Sequence, residues 1–200
     1  MKKLQPKRQG QGGFTLIELM IVIAVVGVLI VIGVNAFRGS SDGANALAIN
    51  GASKQLAKGV GYMHVQMGTG LSAIGNPVLA SGMTMMDVLM VGSSAVNTTY
   101  RTRFEQINMR PMEGDFRVVT RASGSTPGVY QVLDYTVSFV TCATGKLCLQ
   151  YTNVPSETVA ELAKRAGINN FVASTAVSSG PLRYTAASNG FHTVTVEEVP

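Results

Sequence analysis

Hydrophobic and polar positions change rhythm three times along the chain. Residues 1–13 (MKKLQPKRQGQGG) are basic, polar and glycine-rich, with no apolar period. At Phe14 the character turns, and from 19 to 34 every residue is apolar or glycine. As a helix the 21 residues of 14–34 extend about 31 Å, matching a hydrocarbon core of about 30 Å. The stretch 35–43 (NAFRGSSDG) interrupts with two glycines and polar residues, which predicts a soft joint between two helical halves. Beyond it, Ile49, Ala52, Leu56, Val60, Met63 and Met67 recur at spacings of three and four, the stripe of an amphipathic helix. Asn50, Lys54, Gln55 and Lys58 fall off that stripe. As one helix, 14–67 would extend about 80 Å.

The remaining residues, 68–200, read as a head. Breakers at Gly68, Gly70 and Asn76-Pro77 precede short helices expected over 84–91 and 102–109. Four methionines, at 83, 85, 86 and 90, read as adaptable core filler, with a ligand-binding methionine site as the lesser alternative. β-branched and aromatic residues then dominate 116–121, 129–141, 146–152 and 193–199, which predicts strands. Tyr135, Val137 and Phe139 share one face of such a strand. Pro155-Ser156-Glu157 opens a helix running to about Ala166, with Ser156 as its cap and Gly167 as its stop. The fold class is therefore α+β: a long N-terminal helix packed on a C-terminal antiparallel sheet. Three segments follow, a leader 1–13, a helix 14–67 and a head 68–200.

Charge refines the picture. Of sixteen lysines and arginines, four lie before residue 14, leaving twelve against eleven acids. Four of the five units of net positive charge thus belong to residues 1–13, and the nucleic-acid reading loses its support. Positive charge ahead of the apolar run places the N-terminus in the cytoplasm. An export signal cut after Ala36 and a plain membrane anchor both account for this run. Neither explains Glu18, since a carboxylate in a spanning helix costs about 2.5–3.5 kcal/mol even on the gentler insertion scale.

The string Gly13-Phe14-Thr15-Leu16-Ile17-Glu18, after a basic leader and before a long apolar run, closely resembles the type IV prepilin family. The resemblance covers residues 1–34. It implies that a prepilin peptidase cuts between Gly13 and Phe14 on the cytoplasmic side, leaving the apolar segment in a mature chain of 187 residues. It implies N-methylation of Phe14 and gives Glu18 the place of the family's acid at the fifth mature residue. Glu18 would pair with an N-terminal ammonium, its own or a neighbour's, because both charges are costly in an apolar bundle. The implied head is helix on sheet. Implied partners are further copies of the chain in a helical filament, the peptidase, and an inner-membrane assembly platform with its ATPase. The implied location is the inner membrane before assembly, then a pilus on the bacterial surface. Many pilins carry a proline near the first kink, where this chain has Asn35.

Cys142 and Cys148 bracket five residues between expected strands, so a disulfide across a hairpin fits them, stabilising by about 2–3 kcal/mol. A metal reading lacks partners, since His64 and His192 lie far away in sequence. Many pilins close a larger ring. No nucleotide, zinc-protease or serine-hydrolase motif occurs, and no cofactor is implied. Glu113 and Asp115 read as a solvated turn. Arg101, Arg103 and Arg110, beside Tyr100 and Phe104, read as a solvated helix face, with DNA, lipopolysaccharide or a neighbouring subunit's acids as the lesser alternatives. The reading is a type IV pilus subunit and not an enzyme. A pseudopilin of a type II secretion system is the runner-up, and a secreted binding domain with a conventional signal peptide is a third.

Overall fold

The computed structural model describes residues 16–200, the side chains of 16, 18, 31 and 34–40 excepted. Two compact units divide the chain, Met1–Ser40 and Ser41–Pro200. The first helix, α1, runs Leu16–Met67. The joint expected at 35–43 is not a break in it: helical backbone continues through those residues. A glycine costs about 1 kcal/mol relative to alanine in a helix, a sum that neighbouring turns absorb. Asp42 is also tied down, accepting a 3.2 Å hydrogen bond from the Thr158 hydroxyl.

In the second unit, every residue of the predicted stripe, from Ile49 to Met67, is buried. It covers one face of a six-stranded antiparallel sheet ordered β1-β2-β3-β4-β6-β5. The strands are β1 Arg117–Thr120, β2 Val129–Val132, β3 Tyr135–Val140, β4 Leu147–Pro155, β5 Leu182–Tyr184 and β6 Phe191–Glu198. Register places Tyr130, Val137, Tyr151, Val194 and Tyr184 in one buried row across five strands. That row meets α1 through Tyr151, whose hydroxyl lies 2.8 Å from Ser53 Oγ and donates toward the Ile49 carbonyl at 3.4 Å. Packing is close on the helix at Gly59, where an added Cβ would come 2.7 Å from the Met112 terminal methyl and 3.1 Å from Leu89, so the methionine would have to move.

Three short helices complete the head: α2 Met85–Val91, α3 Thr98–Gln106 and α4 Ser156–Arg165. α3 begins four residues before its expected start, because Asn97 caps it by accepting from Thr99 N at 3.0 Å. The cap of α4 is Pro155, not Ser156. The Ser156 hydroxyl is engaged elsewhere, 3.1 Å from the Gly190 carbonyl and 3.0 Å from His192 Nε2. The apolar run 129–141 is two strands, not one, split by a turn at Leu133, which holds φ 56°.

Burial raises the ionisation range of both hydrogen-bonded tyrosines. For Tyr151 the Ser53 hydroxyl opposes burial in part, and for Tyr130 the Asp87 carboxylate adds to it. The stability that their neutral phenols contribute is therefore whole below the unfolded value of about 10 and is lost as pH rises beyond it. Denaturant midpoints are expected to stay level to about pH 9.5 and to fall above about pH 10. Tyr151→Phe is expected to make that fall shallower while costing about 1–2 kcal/mol at neutral pH.

Candidate functional site

The first unit carries the most unusual surface. Twelve large apolar side chains, from Ile17 to Ile32, are 46–66% exposed and lie on every side of α1. Leaving that much apolar surface in water forgoes on the order of 10–20 kcal/mol of burial, comparable to the whole stability of an ordinary domain. A helix apolar all round belongs in lipid or among other helices. Among the described residues no helix is long and apolar enough to cross a membrane. The described side chains run unbroken only over 19–30, and the wider span 14–34 remains an expectation from sequence.

Of the junction residues, Gly13 and Phe14 lie outside the described residues, and Glu18 is described only as helical backbone in the first turn of α1.

Residues 8–34 match the model of the prokaryotic N-terminal methylation motif. The chain thus carries a type IV prepilin-like leader with its following apolar helix, the N-terminus of the pilin-like and pseudopilin class. That class of motif is structural, not enzymatic. No curated protein and no solved structure matches the chain.

In the head, Cys142 and Cys148 are joined by a disulfide, with Cα atoms 5.5 Å apart. Their sulfurs lie within 4.8 Å of a Glu197 carboxylate oxygen, but bonded to each other they present no thiolate to a metal. Glu197 instead faces cations, Lys146 Nζ at 2.5 Å and Arg183 at 3.9 Å. Neither histidine joins this group. His192 donates from Nδ1 to the Thr185 carbonyl at 2.7 Å, and its Nε2 lies 3.0 Å from Ser156 Oγ. It also packs against Tyr184 and Phe171, which makes it a satisfied core residue. His64 bonds the Thr69 carbonyl at the end of α1.

Two of the three clustered arginines, Arg101 and Arg103, serve the backbone. Arg101 donates to the Val96 carbonyl at 3.1 Å, and Arg103 to the Gln66 carbonyl at 3.2 Å, satisfying an orphan acceptor in the last turn of α1. Of the turn acids, Glu113 pairs with Arg121 and Asp115 accepts from Gln55. Met83, Met85 and Met86 line a cavity of about 360 Å³, closed on its other side by Tyr130, Val137 and Phe139.

Sequence reasoning overlooked Asp87. It is fully buried and accepts four hydrogen bonds: from Thr84 N and Oγ1 at 2.8 and 2.7 Å, Gly128 N at 2.8 Å and the Tyr130 hydroxyl at 2.7 Å. Gly128 must be glycine here, since a Cβ would collide with the Tyr130 hydroxyl. Half of this arrangement was in plain view. Thr84-Met85-Met86-Asp87 has the spacing of a capping box, and the box is formed.

Proposed function

We propose that the chain is the structural subunit of a type IV pilus, polymerising through its N-terminal helix after cleavage between Gly13 and Phe14. The observation that carries this is the coincidence of the methylation motif with an all-round apolar helix whose side chains are exposed among the described residues. Assembly is then an exchange of solvents: the helix leaves lipid for neighbouring helices, and Glu18 meets an N-terminal ammonium. Prepilin peptidase, an assembly platform with its ATPase, and further copies of the chain are the partners. The membrane and then the cell surface are its locations. The six-stranded head with its disulfide supports a pilin over a pseudopilin.

N-terminal sequencing and intact mass of material sheared from cells test the reading. A chain beginning at methylated Phe14, two hydrogens lighter than the reduced form, is expected. A soluble chain beginning at Phe37 would replace it with an ordinary export signal. Short structures confined to the envelope, in place of long surface filaments, would favour the pseudopilin.

A further inference from the structure

The disulfide is chemically lopsided. Cys142, past the end of β3, is partly exposed, whereas Cys148, within β4, is 1% exposed. Arg183 of β5 covers the buried sulfur, its Nη2 2.8 Å from Cys148 Sγ. Two other charged groups face this point. Glu197 of β6 sits opposite Cys148 in register, and Lys146 comes from the turn between β3 and β4.

We propose that Arg183 makes Cys148 the attacking thiolate that closes the hairpin, and that Cys142 is the site at which a protein disulfide oxidant engages the chain. Exposure dictates the order. An incoming protein disulfide reaches Cys142: the Cys142 thiolate attacks one of its sulfurs, forms a mixed disulfide and releases the oxidant's other sulfur as a thiolate. Cys148, shielded from a bulky partner, then attacks Cys142 Sγ from within. The Cys142–Cys148 bond forms, the mixed disulfide breaks, and the oxidant departs fully reduced with both electrons.

Electrostatics decide the reactivity of Cys148. A guanidinium in contact with sulfur favours the thiolate, while the Glu197 carboxylate opposes it. Arg183 prevails because it touches the sulfur, while Glu197 is neutralised by Lys146 at 2.5 Å. β5 reaches β4 only across β6, so Arg183 can act only after the last two strands have paired. Closure is thus a late step that follows assembly of the sheet.

Full-length chain in detergent micelles tests this. In the Cys142→Ser background, ultraviolet thiolate absorbance is expected to give Cys148 a midpoint at least about one pH unit below an ordinary thiol's 8.5, and Arg183→Gln is expected to return it there. Closure from the mixed disulfide, with both cysteines present, is expected to slow about threefold near pH 7 in Arg183→Gln. That figure sets an eightfold loss of thiolate against the greater nucleophilicity of the more basic sulfur. Above about pH 9 the order should reverse, the variant closing faster, which a structural role for Arg183 would not produce. Arg183→Lys, with unchanged circular dichroism, should restore most of the shift. An unshifted midpoint in Arg183→Gln, or a mixed disulfide found on Cys148 instead of Cys142, would overturn the proposal.

Discussion

Asp87→Ala is expected to cost the head about 3–5 kcal/mol, the largest loss from any single polar substitution in it. The sum has physical parts. The Tyr130 hydroxyl is buried and the Gly128 N–H partly so, and each donor orphaned away from water costs about 1–3 kcal/mol. Thr84 loses the carboxylate half of its capping box as well, worth about 0.5–2 kcal/mol. The same carboxylate ties the start of α2 to β2, forty-one and forty-three residues away, so its loss loosens the covering layer over that end of the sheet. Asp87→Asn keeps the shape and one acceptor oxygen but turns an NH₂ toward donors, and belongs between alanine and wild type. Urea unfolding of the full chain in micelles, followed by near-ultraviolet dichroism, measures the series. A double-mutant cycle with Tyr130→Phe should show coupling above about 0.5 kcal/mol, as expected for groups in one network. An Asp87→Ala loss below about 1 kcal/mol would mean that water satisfies these donors instead.

What the sequence made legible follows from the range of the interactions. The apolar run and the stripe from Ile49 to Met67 are local signals, and each position of the stripe is buried as its period predicts. The junction string is local too, and it carries its meaning whole: leader, glycine, acid and apolar run stand in register within residues 8–34. Turn chemistry was readable where glycine or asparagine supplied it, as at Gly167 (φ 80°) after α4. It was hidden at Leu133, an aliphatic residue in a left-handed conformation, so β2 and β3 read as one strand. β5 escaped notice because three residues are too few to show alternation. Ser156 looked like a cap until Gly190 and His192, more than thirty residues on, claimed its hydroxyl. The contacts that give the head its character, Asp87 with Tyr130, Ser53 with Tyr151 and Arg183 with Cys148, join residues 35 to 98 positions apart. No periodicity encodes such pairs; only the register of the sheet brings them together.

Glu18→Ala is expected to leave cleavage at Gly13/Phe14 intact and to abolish surface filaments. In the proposed polymer the Phe14 ammonium of an arriving protomer enters a bundle of apolar helices, and without a carboxylate it remains an unpaired charge there. Removing one member of a buried ion pair costs about 3–5 kcal/mol, which weakens each addition to the filament by a factor of about 150–5,000. Glu18→Gln retains a hydrogen-bond acceptor but not the charge and should assemble little better. Glu18→Asp, shorter by one methylene, should assemble partially. A competing arrangement pairs Glu18 with the ammonium of its own chain, one helical turn away. Co-expression with wild type separates the two. Under pairing between subunits, an alanine protomer joins the filament normally, because its ammonium meets a wild-type Glu18. It then offers no carboxylate to the next arrival, so filaments shorten steeply as its share rises, and sheared pili contain it. Under pairing within one chain, the alanine protomer carries its own unpaired charge and is excluded. Filament length then follows only the supply of wild type, and sheared pili are free of the variant.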